Sequence, residues 1–110
     1  MLTLSAGFKK CLPYFAIFAL ALSAYANTFG NDFIWDDEYL ITHNSQIKNI
    51  ANITRIFGTN AGYGSENANN FYRPMQELSD LADYSVWKLN PAGYHITNTV
   101  LHALVSILVY

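Results

Sequence analysis

No charged residue occurs between Lys10 and Asp32. This gap constrains the fold more than any other feature, because so long an uncharged stretch either enters a lipid bilayer or is buried on all sides. From Cys11 to Ala26 it is rich in Leu, Ile, Ala and Phe. A membrane helix needs about 20 mostly apolar residues, and the window meets that length. Pro13 falls in the first turn, where its missing N–H does no harm. Lys9-Lys10 precede the apolar run and acids come after it. This asymmetry assigns residues 1–10 to the cytoplasm and sends residues 29–90 outward, into a periplasm or lumen. A second reading remains open. Lys9-Lys10, the apolar core and Ala24-Tyr25-Ala26 also match a secretory signal peptide with its cleavage site. Both readings export residues 29–90.

A second apolar segment begins at Ala92 and is still apolar at Tyr110, with no stop signal. The chain therefore reads as the N-terminal piece of a longer protein. His95, Asn98, Thr99, His102 and Ser106 fall on one stripe of this helix. Polar groups facing lipid are costly, so such a stripe points to a bundle interior or a wet cavity; in a soluble core helix it would hold satisfied histidines. Only 13% of residues are charged, against roughly 25% in globular proteins. The net charge of −2 offers no footprint for nucleic acid. The single cysteine, Cys11, excludes an intrachain disulfide. The expected fold is all-α: an integral membrane fragment with one transmembrane helix at 11–28, a partly helical extracytoplasmic loop at 29–90, and the truncated start of a second transmembrane helix at 91–110.

Within the loop, residues 28–46 read as irregular. Ile47, Ile50, Ile53 and Phe57 predict a short helix near 47–57, and 58–70 form a Gly/Asn-rich loop. Tyr72-Arg73-Pro74 opens an amphipathic helix at 74–89. Met75, Leu78, Ala82, Ser85, Val86 and Leu89 lie on one side, and Glu77, Asp80, Tyr84 and Lys88 on another. Such a helix suits a membrane interface or the mouth of a bundle. Asn90 caps the next helix and Pro91 takes its first position.

The chemistry concentrates in Trp35-Asp36-Asp37-Glu38-Tyr39. The chain has eight acidic residues, so three in a row stand out from the background. Side-by-side carboxylates repel one another, and a desolvated one keeps its proton to higher pH. Such a group can serve as a general base toward a hydroxyl. Carboxylates also ligate Mg²⁺, Mn²⁺ or Ca²⁺, so a divalent cation at Asp36/Asp37 stays open; no other cofactor is indicated. Three consecutive residues cannot all point at one spot, and a solvated acidic cap on a membrane helix is the plain alternative. Arg73 suits phosphate recognition, or pairing with Glu77 or Asp80 at the helix start. His95 and His102 lie two turns apart, roughly 10 Å, which argues against a shared metal. His95 with Asn98 suits hydrogen bonding to a polar ligand or a neighbouring helix. Asn52-Ile53-Thr54 is a glycosylation acceptor pattern, a short match of low specificity.

The ordered set is more specific than any member of it. Asn31-Asp32-Phe33-Ile34-Trp35-Asp36-Asp37-Glu38-Tyr39-Leu40-Ile41 is followed by Ile56-Phe57-Gly58-Thr59 and Tyr72-Arg73-Pro74-Met75. Then come Trp87-Lys88-Leu89-Asn90-Pro91, Gly93-Tyr94-His95-Ile96-Thr97-Asn98 and Leu101-His102. Over roughly residues 12–110 this resembles the start of the membrane glycosyltransferases that carry C-terminal tetratricopeptide repeats, relatives of the protein O-mannosyltransferases with GT-C architecture. The resemblance implies transfer of a sugar from a polyprenyl-phosphate carrier to a hydroxyl on a protein or glycan. It implies catalytic roles for Asp36, Asp37 and Glu38, with Asp36 or Asp37 as the base. Arg73, His95 and Asn98 become candidates to hold the lipid phosphate or the sugar. It also implies that a fragment of this length is inactive by itself. The family commonly has a proline where this chain has Ser45, a mild change in a turn. Two other classes fit the residues: a secreted, signal-cleaved binding domain, and a non-catalytic membrane scaffold whose acids set topology.

Overall fold

The computed structural model describes residues 6–65 and 70–110. Residues 1–5 of the expected cytoplasmic terminus and 66–69 of the Gly/Asn-rich loop lie outside them. The described residues are helical, with no strand. Helix α1 runs Ala6–Tyr25 and tightens into a 3-10 turn at Ala26–Gly30. Thr28 Oγ1 donates to Tyr25 O at this change of pitch. The first helix thus begins earlier than residue 11, and its last turn is not α-helical. Helix α4, Pro91–Val109, packs against it antiparallel: Tyr14 meets the Tyr110 ring at 5.7 Å and Tyr25 meets the His102 ring at 5.1 Å. Ala21 and Ala103 are buried, and their small side chains suit close helix contact. Both helices are long and apolar enough to cross a membrane. Phe15, Leu20, Leu108 and Val109 are exposed.

The head between these helices is built from short pieces. A π-turn at Glu38–Thr42 falls in the stretch expected to be irregular. The 3-10 turns at Gln46–Lys48 and Ile50–Asn52 and the four-residue helix α2, Ile53–Ile56, stand where one helix at 47–57 was expected. Asparagines explain the break. The Asn49 side chain accepts from Ala51 N and Asn52 Nδ2 donates to Gln46 O, so side chains compete with a continuous helical ladder. Asn52 of the acceptor pattern thereby spends its amide inside the fold. Leu40, Ile41, Ile47, Ile56, Ala61, Leu81 and Tyr94 form the core, with Phe33, Tyr39, Leu78 and Tyr84 packed on it.

Helix α3, Pro74–Trp87, is amphipathic as expected, but its polar side faces inward. Glu77 is 1% exposed and Asp83 7%, while Met75 is 71% and Val86 68% exposed. The loop supplies partners that helical periodicity cannot reveal. Glu77 Oε1 accepts from Gly62 N at 2.9 Å and Asn44 Nδ2 at 3.3 Å, and Oε2 accepts from Gln46 Nε2 at 3.3 Å. Thr97 Oγ1 of α4 donates to Asp83. Burial holds the Asp83 carboxyl above its usual pKa, and the Thr97 bond partly offsets this.

Asn90 joins α3 to α4 as predicted: its side chain accepts from Ala92 N at 3.2 Å, and Pro91 opens the helix. Gly93 permits the tight turn because Trp87 lies on it. A Cβ there would sit 2.1 Å from Trp87 Cγ. Gly93→Ala is expected to lose about 1–3 kcal/mol from this overpacking, read as earlier thermal unfolding in detergent.

Candidate functional site

The acidic run does not act as a unit. Trp35 turns the chain with φ 53, an uncommon conformation for a bulky residue. In that turn Asp37 N donates to Ile34 O at 3.1 Å, and Ile34 N donates back to Asp37 Oδ2 at 3.2 Å. The Asp37 carboxyl is therefore fixed by its own backbone. Its neighbours go elsewhere. Asp36 is exposed and accepts from Tyr39 Oη. Glu38 is exposed, with Oε2 3.7 Å from His43 Nδ1.

Asp37 lines a cavity of about 410 Å³ between the loop, α3 and α4. Asp80, Tyr94, His95 and Asn98 line the same cavity, with Phe33, Met75 and Leu101 as apolar walls. His95 and Asn98 also border a second cavity of about 270 Å³ against Tyr25, Thr28 and Asn31. There His95 Nε2 lies 3.1 Å from Asn31 O, which orients the ring. Thr99 and His102 of the polar stripe face this second cavity, and Thr99 and Ser106 hydroxyls donate back to His95 O and His102 O.

Of the residues singled out from sequence, Asp37, His95 and Asn98 come together. Asp36, Glu38 and Arg73 do not line the cavity. Arg73 is exposed, with its guanidinium 4.9 Å from the Phe71 ring, and Nη1 donates to Gln76 at 3.4 Å. Gln76 lines the cavity, so Arg73 stands at its rim. Among the described residues no three His, Cys, Asp or Glu side chains converge on a metal position. Asp36 and Asp37 are adjacent in sequence but held by different partners.

Asp80 is the residue that sequence reasoning placed wrongly. Sequence alone makes it only part of the polar side of α3 with Glu77, and a candidate partner of Arg73. Burial, with the Asp83, Glu77 and Asp37 carboxylates around it, pushes its pKa up to about 7. The signal in the sequence was an acid every third residue, Glu77, Asp80 and Asp83, interleaved with Leu78 and Leu81; that spacing also fits a buried polar face. A separate groove of about 630 Å³ lies over His43, Gln46, Asn52, Arg55 and Tyr63, and no carboxylate lines it among the described residues.

Sequence comparison adds relatives. The chain is 35% identical over 92 residues to protein O-mannosyl-transferase TMTC2 of Homo sapiens, covering 80% of this chain and 11% of that protein. It is 32% identical over 101 residues to protein O-mannosyl-transferase Tmtc1 of Drosophila melanogaster, covering 84% of this chain and 11% of that one. Against protein O-mannosyl-transferase F38B6.6 of Caenorhabditis elegans the identity is 24% over 97 residues, 86% of this chain and 14% of the relative. The chain thus spans about a tenth of the length of these relatives. No family model and no solved structure matches it.

Proposed function

For a chain related to the protein O-mannosyl-transferases, we propose that it forms the first two membrane-spanning helices and the first outward loop of a membrane glycosyltransferase. The complete protein moves a sugar from a polyprenyl-phosphate carrier to a hydroxyl on an acceptor protein. Helices α1 and α4 cross the bilayer, with Lys9-Lys10 on the cytoplasmic side and the head in the periplasm or lumen. The antiparallel pairing of α1 with α4 supports this, since it puts residues 31–65 and 70–90 at one end of the pair. Cleavage after Ala26 would remove α1 and expose the face of α4 that meets Tyr25.

One observation carries the reading. A carboxylate from the loop and a polar pair from α4, Asp37 with His95 and Asn98, line a single cavity where α4 meets the head. Asp37 takes the acceptor's proton there as the attacking oxygen forms its bond to the sugar carbon. That carbon passes through an oxocarbenium-like state, and the lipid phosphate leaves with the bonding electrons. His95 and Asn98 hold the sugar or the phosphate. Tyr94 and Leu101 give that wall a mixed polar and apolar surface that suits a sugar ring.

The test is transfer by the complete protein in membranes, supplied with synthetic polyprenyl-phosphate mannose and a Ser/Thr-containing peptide. Labelled peptide is expected; no label, or label only from a nucleotide sugar, would sink the reading. Arg73 reaches the lipid phosphate from the rim. Arg73→Ala is therefore expected to raise KM for the carrier about tenfold or more, the loss of one charge-assisted contact, with kcat little changed. A KM equal to wild type would remove that assignment.

A further inference from the structure

Resting on the sugar-transfer reading, we infer that Asp80 of α3 is the second proton-handling residue of the cavity and receives the proton that Asp37 takes from the acceptor. Three observations support it. Asp80 lines the same 410 Å³ cavity as Asp37 and comes from a different element, so the two face shared space across the fold. Asp80 is half-buried, and its carboxyl has no hydrogen-bond or ion-pair partner among the described residues, whereas Asp37 is fixed by Ile34 N and Asp83 is bonded by Thr97. The Asp80 carboxylate oxygens are therefore reachable from the cavity, as those of a proton acceptor must be. Finally, its surroundings raise its proton affinity to the range where a relay group works at neutral pH.

The charges facing Asp80 are few. Glu77 and Asp83 lie on its own helix, Asp37 comes from the loop, and Tyr94 and His95 come from α4. The carboxylates all disfavour the ionised form, and no Lys or Arg lines the cavity among the described residues. The step balances. The acceptor O–H breaks as its oxygen bonds to the sugar carbon, and the bond from that carbon to the phosphate oxygen breaks with both electrons going to phosphate. The proton passes to Asp37 and then to Asp80, which restores the Asp37 carboxylate and later releases the proton to solvent. Asp80 must be ionised to receive it. Transfer is therefore expected to rise with pH through about 7, the value that burial and the neighbouring acids set.

The experiment measures transfer from polyprenyl-phosphate mannose to a Ser/Thr peptide between pH 5.5 and 9, with the complete membrane protein and its Asp80→Asn and Asp80→Glu variants. Asp80→Asn is expected to lose about tenfold or more in kcat above pH 7.5 and to lose the limb near 7, while unfolding at no lower temperature. Asp80→Glu keeps a carboxyl in the cavity and is expected to retain a limb at a displaced pH. A wild-type rate and limb in Asp80→Asn overturns the inference. So does a rate lowered equally at every pH with the limb intact, which marks a structural role. If Asp80→Asn does not fold, an unshifted limb in Asp80→Glu overturns it as well. Asp37→Asn separates the two claims. If that variant is inactive while Asp80→Asn behaves as wild type, only the relay role of Asp80 fails. If it transfers sugar normally, the base assignment fails with it.

Discussion

Asp37→Asn in the complete protein is expected to lower sugar transfer by about a hundredfold or more while membrane insertion and fold stay intact. The magnitude comes from removing a positioned general base, which contributes about 10²–10⁴ to a rate. The amide keeps the size of the carboxyl, and its oxygen can still accept from Ile34 N, so the turn at residues 34–37 survives. It cannot take up a proton. Asp36→Asn provides the contrast. Asp36 is exposed and bonded by Tyr39, and its loss is expected to cost less than about threefold, the scale of one exposed hydrogen bond. The measurement is kcat for both variants from polyprenyl-phosphate mannose, with alkaline extraction to confirm insertion. Equal activity of Asp37→Asn and wild type would remove the catalytic assignment. A collapse confined to Asp36→Asn would transfer it to the neighbouring residue.

The largest stability effect is expected at Glu77. Its carboxyl is 1% exposed and accepts from the Gly62 N–H, the Asn44 amide and the Gln46 amide. Those donors are themselves tied in. Asn44 Nδ2 also donates to Leu40 O, and its Oδ1 accepts from Gln46 N; Gln46 Nε2 also donates to Thr59 Oγ1. Glu77 thus joins α3 to two separate stretches of the loop, residues 44–46 and Gly62. Glu77→Ala leaves buried donors unpaired and a void behind them, and is expected to cost about 3–5 kcal/mol. That is a large fraction of a typical net stability of about 5–15 kcal/mol. Glu77→Gln preserves shape but turns an N–H donor toward one of the existing donors, so an intermediate loss is expected. Thermal unfolding in detergent and limited proteolysis between residues 40 and 65 would show it. Unchanged unfolding of Glu77→Ala would mean that the loop is held by its apolar core alone.

Much of this architecture was legible because it is local. Helices α1 and α4 follow from runs of apolar side chains, and the Asn90-Pro91 start of α4 from cap chemistry. Other features were misread where a distant partner reverses a local rule. Helix α3 has the expected period, but period cannot say which face is covered. Glu77 and Asp83 are buried because Gly62, Asn44, Gln46 and Thr97 bring donors to them from other parts of the chain. The predicted helix at 47–57 failed for a different reason: Asn49 and Asn52 satisfy backbone groups with their own side chains, and periodicity of the isoleucines does not weigh that competition.

The acidic run and the polar stripe of α4 were both visible as chemistry without an address. By itself the sequence determined which residues are apolar enough for lipid, where α3 and α4 start, and that carboxylates would follow the C-terminal end of α1. Only the tertiary structure decided that Asp37 and not Asp36 turns into the cavity, that Asp80 joins it, and that Arg73 stays at the rim. Side-chain direction in an irregular loop depends on the turn made at Trp35 and on packing against α3 and α4, and no spacing along the chain encodes contacts between segments dozens of residues apart.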